Sequence, residues 1–279
     1  MRTGLAERLR DGVLLLDGGM GTALMARGLA AGASTAEWNL EHPDEVLAVH
    51  RAHVAAGSQV VQANTFGANP IVLARHGLID HLIDINREGV RLARLAAGEQ
   101  RLVAGNIGPS GDLLSPLGGA TRDDLVRGFG LQARALAAAG ADYLAIETMM
   151  DLEEALCALR GALRETPLPV TVCMTFEHRA RGYFTLMGQR PADCARALTE
   201  AGAAMVGANC SFGSDEMVGL CHELTESSSV PVVVKPNAGL PEIVDGRTVY
   251  RQAPTDFGCD IVEMIASGER AVGGCCGTD

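Results

Sequence analysis

The sequence predicts an α/β protein of the (β/α)8 barrel class, formed as a single domain over residues 1–279. Two patterns carry this prediction: short apolar runs recur along the chain, and a helical stretch separates each run from the next. Eight such strands alternating with seven helical stretches over about 250 residues are typical of this barrel. The runs indicate buried parallel strands near residues 13–16, 59–62, 101–105, 142–146, 170–174, 204–208, 231–235 and 270–273.

The way the helical stretches end supports each strand in turn. The first strand, "VLLLD", opens the pattern, and two later ones, "PVTVCM" and "PVVVK", begin at Pro169 and Pro231. The other five follow a glycine, which terminates a helix readily because it adopts positive φ; these are Gly57, Gly98, Gly140, Gly202 and Gly268. An open doubly wound sheet would show the same alternation, but no G-x-G-x-x-G motif follows the first strand.

Composition narrows the kinds of partner. The formal net charge is −11, which argues against nucleic acid and suits a protein that acts on small molecules. No apolar run approaches the roughly 18 residues of a membrane span. The apolar stretch at 13–16 is too short for a signal peptide. We therefore expect a cytoplasmic protein without a membrane partner.

The eight cysteines need an explanation other than structural disulfides, which are rare in the cytoplasm. Five are isolated in the sequence, and we expect them to pack as small hydrophobic side chains; these are Cys157, Cys173, Cys194, Cys221 and Cys259. The remaining three, Cys210 and the adjacent pair Cys275 and Cys276, follow predicted strands.

Polar residues follow the predicted strands, at the end of the barrel where active sites lie. A single such residue is weak evidence for an active site, because turns between strands and helices favour the same residue types. Asn64, Asn106 and Asn237 are explained equally well as turn or cap residues. The set comprises Asp17, Gly18, Gly19, Asn64, Thr65, Asn106, Gly108, Glu147, Thr148, Thr175, Asn209, Cys210, Asn237, Cys275 and Cys276.

The three cysteines in this set predict a zinc site. The sixth and eighth strands flank the seventh, so Cys210 can face Cys275 and Cys276 across one part of the rim. Three thiolates suit Zn²⁺ and leave its fourth position open, as in catalytic sites. Glycines on both sides of the pair supply the backbone freedom to aim both sulfurs at one ion. A reactive redox pair and two packed thiols are the alternatives, although a disulfide between neighbours is strained.

Seven motifs in register extend the argument over residues 13–278. They are "LLLDGGMGTAL", "QANTFGAN", "GNIGPSGDLL", "AIETMMDLEEA", "GANCSFG", "VKPNAG" and "GGCCGT". Together they closely resemble the homocysteine S-methyltransferase family, which includes betaine- and S-methylmethionine-dependent enzymes and the homocysteine domain of cobalamin-dependent methionine synthase. The resemblance implies a barrel that methylates the thiol of homocysteine to give methionine.

The resemblance also implies roles for particular residues. Zinc would be held by Cys210, Cys275 and Cys276, and the acceptor's sulfur would bind to it. The carboxylates of Asp17 and Glu147 would hold the acceptor's amino group. Backbone amides near Gly18 and Thr65 would bind its carboxylate.

One departure from the family concerns the end of the sequence. Relatives continue past "GGCCGT" into a last helix, whereas this sequence ends at Asp279. We therefore expect the eighth strand to lack its covering helix and to expose an apolar flank. A partner subunit, as in a homo-oligomer, or the N-terminal segment "LAERLR" are candidates for covering it.

The methyl donor stays open. Betaine-dependent relatives carry aromatic residues that surround a quaternary ammonium, but aromatic residues make up only 4% of this chain. S-methylmethionine is a second donor, and a methyl-corrinoid carried by a separate protein is a third. A component of a multi-protein corrinoid system, an enzyme for another thiol acceptor, and a non-catalytic zinc- or redox-sensing barrel are the alternative functions.

Overall fold

The computed structural model describes residues 4–244 and 247–279 and contains an eight-stranded, all-parallel sheet. Its strands lie in the order β1-β12-β9-β8-β5-β4-β3-β2. The Gln59 amide donates to the Leu15 carbonyl (2.8 Å), and this bond joins the first strand to the second and nearly closes the ring. The bounds are β1 Leu14–Leu15, β2 Val60–Gln62, β3 Leu102–Ile107, β4 Tyr143–Met149, β5 Val170–Met174, β8 Met205–Gly213, β9 Val232–Asn237 and β12 Ala271–Val272. This arrangement confirms the predicted barrel.

Helices fill each of the seven intervals between successive barrel strands, as expected. Several begin where a side chain accepts hydrogen bonds from the first-turn amides: Asn69, Thr121 and Asp151 do so at α5, α7 and α8. No helix among the described residues is both long and apolar enough to cross a membrane. The bounds are α1 Leu5–Asp11, α2 Met20–Ala26, α3 Trp38–Glu41, α4 Pro43–Ala55, α5 Pro70–Arg75, α6 Leu82–Ala97, α7 Arg122–Ala138, α8 Leu152–Glu165, α9 Pro191–Glu200, α10 Ser214–Ser227 and α11 Pro254–Ala266.

Two antiparallel hairpins were not expected. The first pairs β6 (Glu177–Arg179) with β7 (Gly182–Phe184), and the second pairs β10 (Glu242–Val244) with β11 (Arg247–Val249). Each is inserted between a barrel strand and the helix that follows it, so both belong to the carboxyl end of the barrel. Strands of three residues are too short to show a hydrophobic pattern that distinguishes them from loops.

Side chains that point into the barrel form two zones. Toward the amino ends of the strands the interior is apolar, with Leu102 and Tyr143 fully or almost fully buried. Because side chains alternate across a strand, the inward positions further along carry Gln62, Asn106, Glu147 and Lys235. All four are buried although they are polar or charged. The carboxyl half of the barrel interior is therefore a polar site on an apolar base.

The N-terminal helix does not cover the last strand. Leu5 and Leu9 of α1 pack against the inward-facing apolar residues, so this helix closes the amino end of the barrel. In the described part of the chain no helix follows β12, yet Ala271 and Val272 are fully buried. The exposed apolar side chain is instead Leu15 of β1, which is 40% exposed. The predicted apolar flank thus lies one strand further along than expected.

Close contact between two strands makes one glycine indispensable. A Cβ at Gly207 in β8 would lie 1.7 Å from the Val233 carbonyl oxygen of β9, and neither backbone can move without breaking the sheet. We expect Gly207→Ala to lower the free energy of unfolding by about 3 kcal/mol or more. Gly258, in α11, has open space around it, and Gly258→Ala should raise stability by about 0.5–1 kcal/mol. Urea unfolding of both variants measures this contrast, and equal effects would contradict it.

Candidate active site

A cavity of about 290 Å³ opens at the carboxyl end of the barrel. It combines the predicted cysteines and carboxylates with the inward-facing polar residues of four strands. Its lining comprises Asp17, Gly18, Gly19, Met20, Gly21, Thr22, Thr35, Gln62, Ala63, Asn64, Phe66, Asn106, Glu147, Thr148, Cys210, Lys235, Gly274, Cys275 and Cys276.

The three sulfurs form one cluster. The Sγ atoms of Cys210, Cys275 and Cys276 all lie within 4.8 Å of one another. Cys210 reaches the cluster because β8 changes register after Asn209, where Cys210 and Ser211 adopt positive φ angles of 62° and 67°. Such backbone is uncommon outside glycine and indicates that the surrounding contacts hold this turn. The sequence therefore places its cysteine on a turn that aims the thiol inward.

Main-chain hydrogen bonds hold the cysteine pair against the neighbouring strands. The Cys275 amide donates to the Pro236 carbonyl (2.8 Å), and the Cys276 amide donates to Asn237 Oδ1 (3.1 Å). The Gly274 amide donates to the Asp17 carbonyl (3.0 Å) on the other side. Asn237 therefore holds the Cys276 amide from the end of β9, a contact between residues 39 positions apart that is neither a turn nor a helix cap. The pair is fixed by both the seventh and the first barrel strands.

The thiols influence each other's acidity. Hydrogen bonds from Cys275 and Cys276 lower the pKa of Cys210 below the ordinary thiol value. The same contacts with Cys210 raise the pKa of Cys275 and Cys276, because a second and third negative charge at such short range are disfavoured. The cluster therefore favours a single thiolate supported by two thiol donors.

This donor set fits a zinc ion. Zn–S bonds of about 2.3 Å place two thiolates of one tetrahedral zinc about 3.8 Å apart, which the observed cluster accommodates. Only sulfur is offered by the three ligands, a preference of zinc among the common divalent ions. The open side of the cluster faces the cavity, where a fourth ligand has access.

The two predicted carboxylates both line this cavity, Asp17 after the first barrel strand and Glu147 on the fourth. Asp17 is 5% exposed and accepts a hydrogen bond from the Gln62 amide (2.7 Å). Burial raises the pKa of Asp17 to about 7, although the Gln62 amide and the Lys235 charge oppose the shift. Glu147 is 6% exposed and accepts at Oε1 from Asn106 Nδ2 (2.5 Å). A cationic amine entering the cavity would meet two carboxylates in a water-poor setting.

Lys235 was missed by sequence reasoning. Its ammonium forms an ion pair with Glu147 and donates to Gln62 Oε1 (2.8 Å), while the side chain is almost fully buried. Burial lowers its pKa to about 8, against the opposing charges of Cys275 and Asp17. The signal was available: Lys235 stands two residues after Val233 in one strand, so both share the inward face.

Of the two positions predicted to supply backbone amides, Gly18 lines the cavity and Thr65 does not. Gly18 lines the cavity, and no acceptor for its amide lies among the described residues. Thr65 is fully buried behind the wall, its amide donating to the Ala63 carbonyl (2.7 Å) and its hydroxyl to the Asn106 carbonyl (2.7 Å). Its neighbour Phe66 lines the cavity instead. An amide contribution "near Thr65" would therefore come from Phe66.

The other strand-end residues mostly form hydrogen bonds that link one strand end to another strand end or loop. Asn64 donates to the Thr35 carbonyl (2.7 Å), and Asn209 accepts from the Thr148 amide (2.7 Å). Thr175 donates to the Asn209 carbonyl (3.2 Å). Two of them also reach functional side chains: Asn106 Nδ2 donates to Glu147 Oε1 (2.5 Å), and Asn209 Nδ2 donates to Cys275 Sγ (3.6 Å).

The raised pKa of Asp17 makes stability depend on pH in a predictable direction. A carboxyl whose folded pKa is about 7, against 3.8 unfolded, contributes stability that is fully present below about pH 4 and is lost as pH rises to 7. Asp17→Asn removes this loss. As pH rises from 5 to 8, the free energy of unfolding of the variant should therefore increase by about 2–3 kcal/mol relative to that of the unchanged protein. Urea unfolding across pH measures it, with the exposed Asp11→Asn as control; parallel curves for both variants would contradict it.

The site and its barrel define a class of protein, and comparison with known proteins identifies the family. Residues 14–279 match the family described as homocysteine S-methyltransferase. The chain belongs to this family, which confirms the resemblance drawn from the seven motifs.

Individual relatives support the same family assignment. The chain is 32% identical over 297 residues to a methionine synthase of Mycobacterium leprae strain TN, and 31% identical to that of Mycobacterium tuberculosis H37Rv. Both alignments cover 99% of this chain but 24% of the synthase, so the chain spans about a quarter of the length of these relatives. The structure is similar to the metallated homocysteine methyltransferase MmuM from Escherichia coli, with a TM-score of 0.77 and 25% identity over 97% of this chain and 96% of that one.

Proposed function

We propose that this chain transfers a methyl group from a donor to the thiol of homocysteine, giving methionine, and that residues 1–279 act as one homocysteine-binding domain. The observation that carries the proposal is that one cavity holds three clustered sulfurs, Cys210, Cys275 and Cys276, together with the buried carboxylates Asp17 and Glu147. The family and the relatives named above support it. The cytoplasmic location predicted from the sequence belongs to the same proposal.

The acceptor is a zwitterion with a thiol, and the cavity offers a group for each part. Asp17 and Glu147 would hold its ammonium through charge-assisted hydrogen bonds. The amides of Gly18 and Phe66 would bind its carboxylate, since neither donates to another group in the described chain. The thiol would then lie toward the three cysteines.

The reaction exchanges one bond to carbon for another. The acceptor's S–H proton passes to solvent, a sulfur lone pair forms the new S–CH₃ bond, and the bond between methyl and donor breaks with its electron pair staying on the donor. Zinc held by Cys210, Cys275 and Cys276 would supply the positive charge that keeps a thiol deprotonated at neutral pH. The protein's own contribution is orientation, because the amine and carboxylate contacts fix the sulfur for in-line attack.

A donor panel tests the proposal. Zinc-loaded protein is incubated with homocysteine and, separately, S-methylmethionine, betaine or a methyl-corrinoid protein, and methionine is measured. Methionine formed with at least one donor supports methyl transfer. Zinc binding without methionine from any donor would instead support the sensing alternative, and methylation of another thiol but not of homocysteine would support a different acceptor.

One observation favours a methyl donor that is carried by a separate protein. Large apolar side chains are exposed on loops and hairpins that follow β3, β4, β5 and β9, around the mouth of the cavity. Such exposure is characteristic of surfaces that contact another protein. The residues are Leu113, Leu117, Met150, Leu186, Met187, Leu240 and Ile243. This observation favours a methyl-corrinoid protein among the candidate donors, and such a protein should outperform free methylcobalamin added to the panel at equal concentration.

A further inference from the structure

Lys235 is a buried cation inside the barrel that the proposed reaction does not use. Its side chain is 4% exposed, and its ammonium contacts both Glu147 Oε2 and Gln62 Oε1. Burying a charge is costly unless it is paired, so a lysine at this depth needs a reason. The ion pair with Glu147, which is proposed to bind the substrate, suggests that the lysine positions this carboxylate.

Glu147 is held at both of its oxygens. Oε2 pairs with Lys235, while Oε1 accepts from Asn106 Nδ2 (2.5 Å) and Gln62 Nε2 (3.2 Å). Gln62 thus bridges the lysine and the carboxylate with its two amide atoms. This clamp fixes the carboxylate in one orientation before any ligand enters.

One hydrogen-bond acceptor next to this clamp, on Asn106, has no partner. Asn106 is 7% exposed, and its Oδ1 atom is buried without a hydrogen-bond partner among the described residues. An unpaired buried acceptor is unfavourable in the free protein and is satisfied when a donor binds. Beside Asp17 and Glu147, the donor that suits this acceptor is a cationic amine.

The charges agree with this chemistry. Within the group formed by Asp17, Glu147 and Lys235, apart from the cysteine cluster, two carboxylates meet one ammonium, so one negative charge is left uncompensated when both carboxylates are ionised. A single ammonium group neutralises it, whereas an uncharged group in the same place does not. Without Lys235, Glu147 Oε2 would lose its ion pair and Gln62 Oε1 its donor, so the buried carboxylate would be less firmly oriented and its ionisation disfavoured.

We propose that Lys235 is a positioning residue that fixes Glu147 and leaves the cavity with one uncompensated negative charge, so that the site selects thiols bearing an α-ammonium group. This inference rests on homocysteine being the acceptor. Lys235 does not touch the acceptor in this scheme; it acts through Glu147.

The test compares homocysteine with 4-mercaptobutanoate, which has the same thiol and carboxylate but no amino group. Binding of each to zinc-loaded protein is measured by calorimetry, alongside kcat and KM for methyl transfer. The unchanged protein should prefer homocysteine by about tenfold to a hundredfold, the effect of one charge-assisted contact. In Lys235→Met the preference should fall below about fivefold, through a raised KM for homocysteine and little change in kcat or zinc content.

Two further variants separate positioning from a structural role. Met205→Leu changes another fully buried, inward-facing residue of the barrel without touching charge, and it should keep the preference. In a Glu147→Gln background, adding Lys235→Met should cost no further preference, because the lysine acts only through the carboxylate. This comparison remains available if Lys235→Met alone folds poorly, since the double variant buries no unpaired carboxylate at position 147.

The outcomes are distinct. If the unchanged protein forms no methionine with any donor, the proposed function fails, whatever Lys235 does. If it forms methionine but does not distinguish the two thiols, selection of the α-ammonium group is wrong. If it does distinguish them and Lys235→Met keeps or increases the preference, the role of Lys235 is wrong. Equal weakening of both thiols in Lys235→Met would likewise overturn it, because that pattern indicates a general disturbance of the cavity.

Discussion

Exchanging Cys275 and Cys276 together for alanine should leave the protein without zinc and reduce methyl transfer by about 10³-fold or more. Two of three clustered sulfurs would be gone, and one thiolate alone cannot hold the ion in competition with water. A bound metal contributes several kcal/mol to such chemistry, and each 1.36 kcal/mol is a factor of ten in rate. Metal analysis of the purified protein and the donor assay measure the two effects.

A matched control is available in the same chain. Cys259, in α11, is exposed and lies apart from the cluster, so Cys259→Ala should keep one zinc per chain and full activity. Cys210→Ala should behave like the double variant, because the single cysteine on β8 completes the set. Full zinc occupancy after loss of both Cys275 and Cys276 would rule out this site.

Glu147→Gln should weaken homocysteine binding by about 10- to 150-fold while zinc stays bound. The change keeps the shape of the side chain but removes the charge that would meet the acceptor's ammonium, an interaction of about 1.5–3 kcal/mol. It also leaves Lys235 buried without its ion-pair partner, so a lower melting temperature should accompany the weaker binding.

Calorimetry with zinc-loaded protein measures the binding effect independently of the donor. Glu153→Gln is the control, since Glu153 lies on the exposed surface of α8, where it pairs with Arg122. That variant should bind homocysteine like the unchanged protein. If Glu147→Gln also did so, the assignment of Glu147 to the amino group would be wrong.

The barrel and the sulfur cluster were accessible from the sequence for a shared reason. Glycines that end helices and apolar runs that form buried strands are local signals, and the cyclic order of strands then brings Cys210 beside Cys275 and Cys276. The expectation needed only the strand order, not side-chain detail. The same reasoning placed Asp17 and Glu147 at the carboxyl end of the barrel, where both line the cavity.

Other features depend on contacts that no local pattern reports. Lys235 ends an apolar run, where a charge ordinarily marks the point at which a strand reaches solvent, and only the strand's inward face reveals its burial. Thr65 follows its strand as expected, but a turn carries it behind the wall and presents Phe66. The exposure of Leu15 depends on how the first and last strands meet at the seam of the ring.

That seam has a consequence for folding. The Gly19 amide donates to Thr278 Oγ1 (3.1 Å), and the Gly277 amide donates to Thr22 Oγ1 (3.1 Å), so residues more than 250 positions apart meet beside the cavity. Contacts of such sequence separation form late, because the intervening chain must already be compact. The site is therefore assembled by closure of the ring. Any ligand bound there holds the segments after the first and last barrel strands together, and at saturating concentration it should slow proteolysis at distant helices as well as beside the cavity.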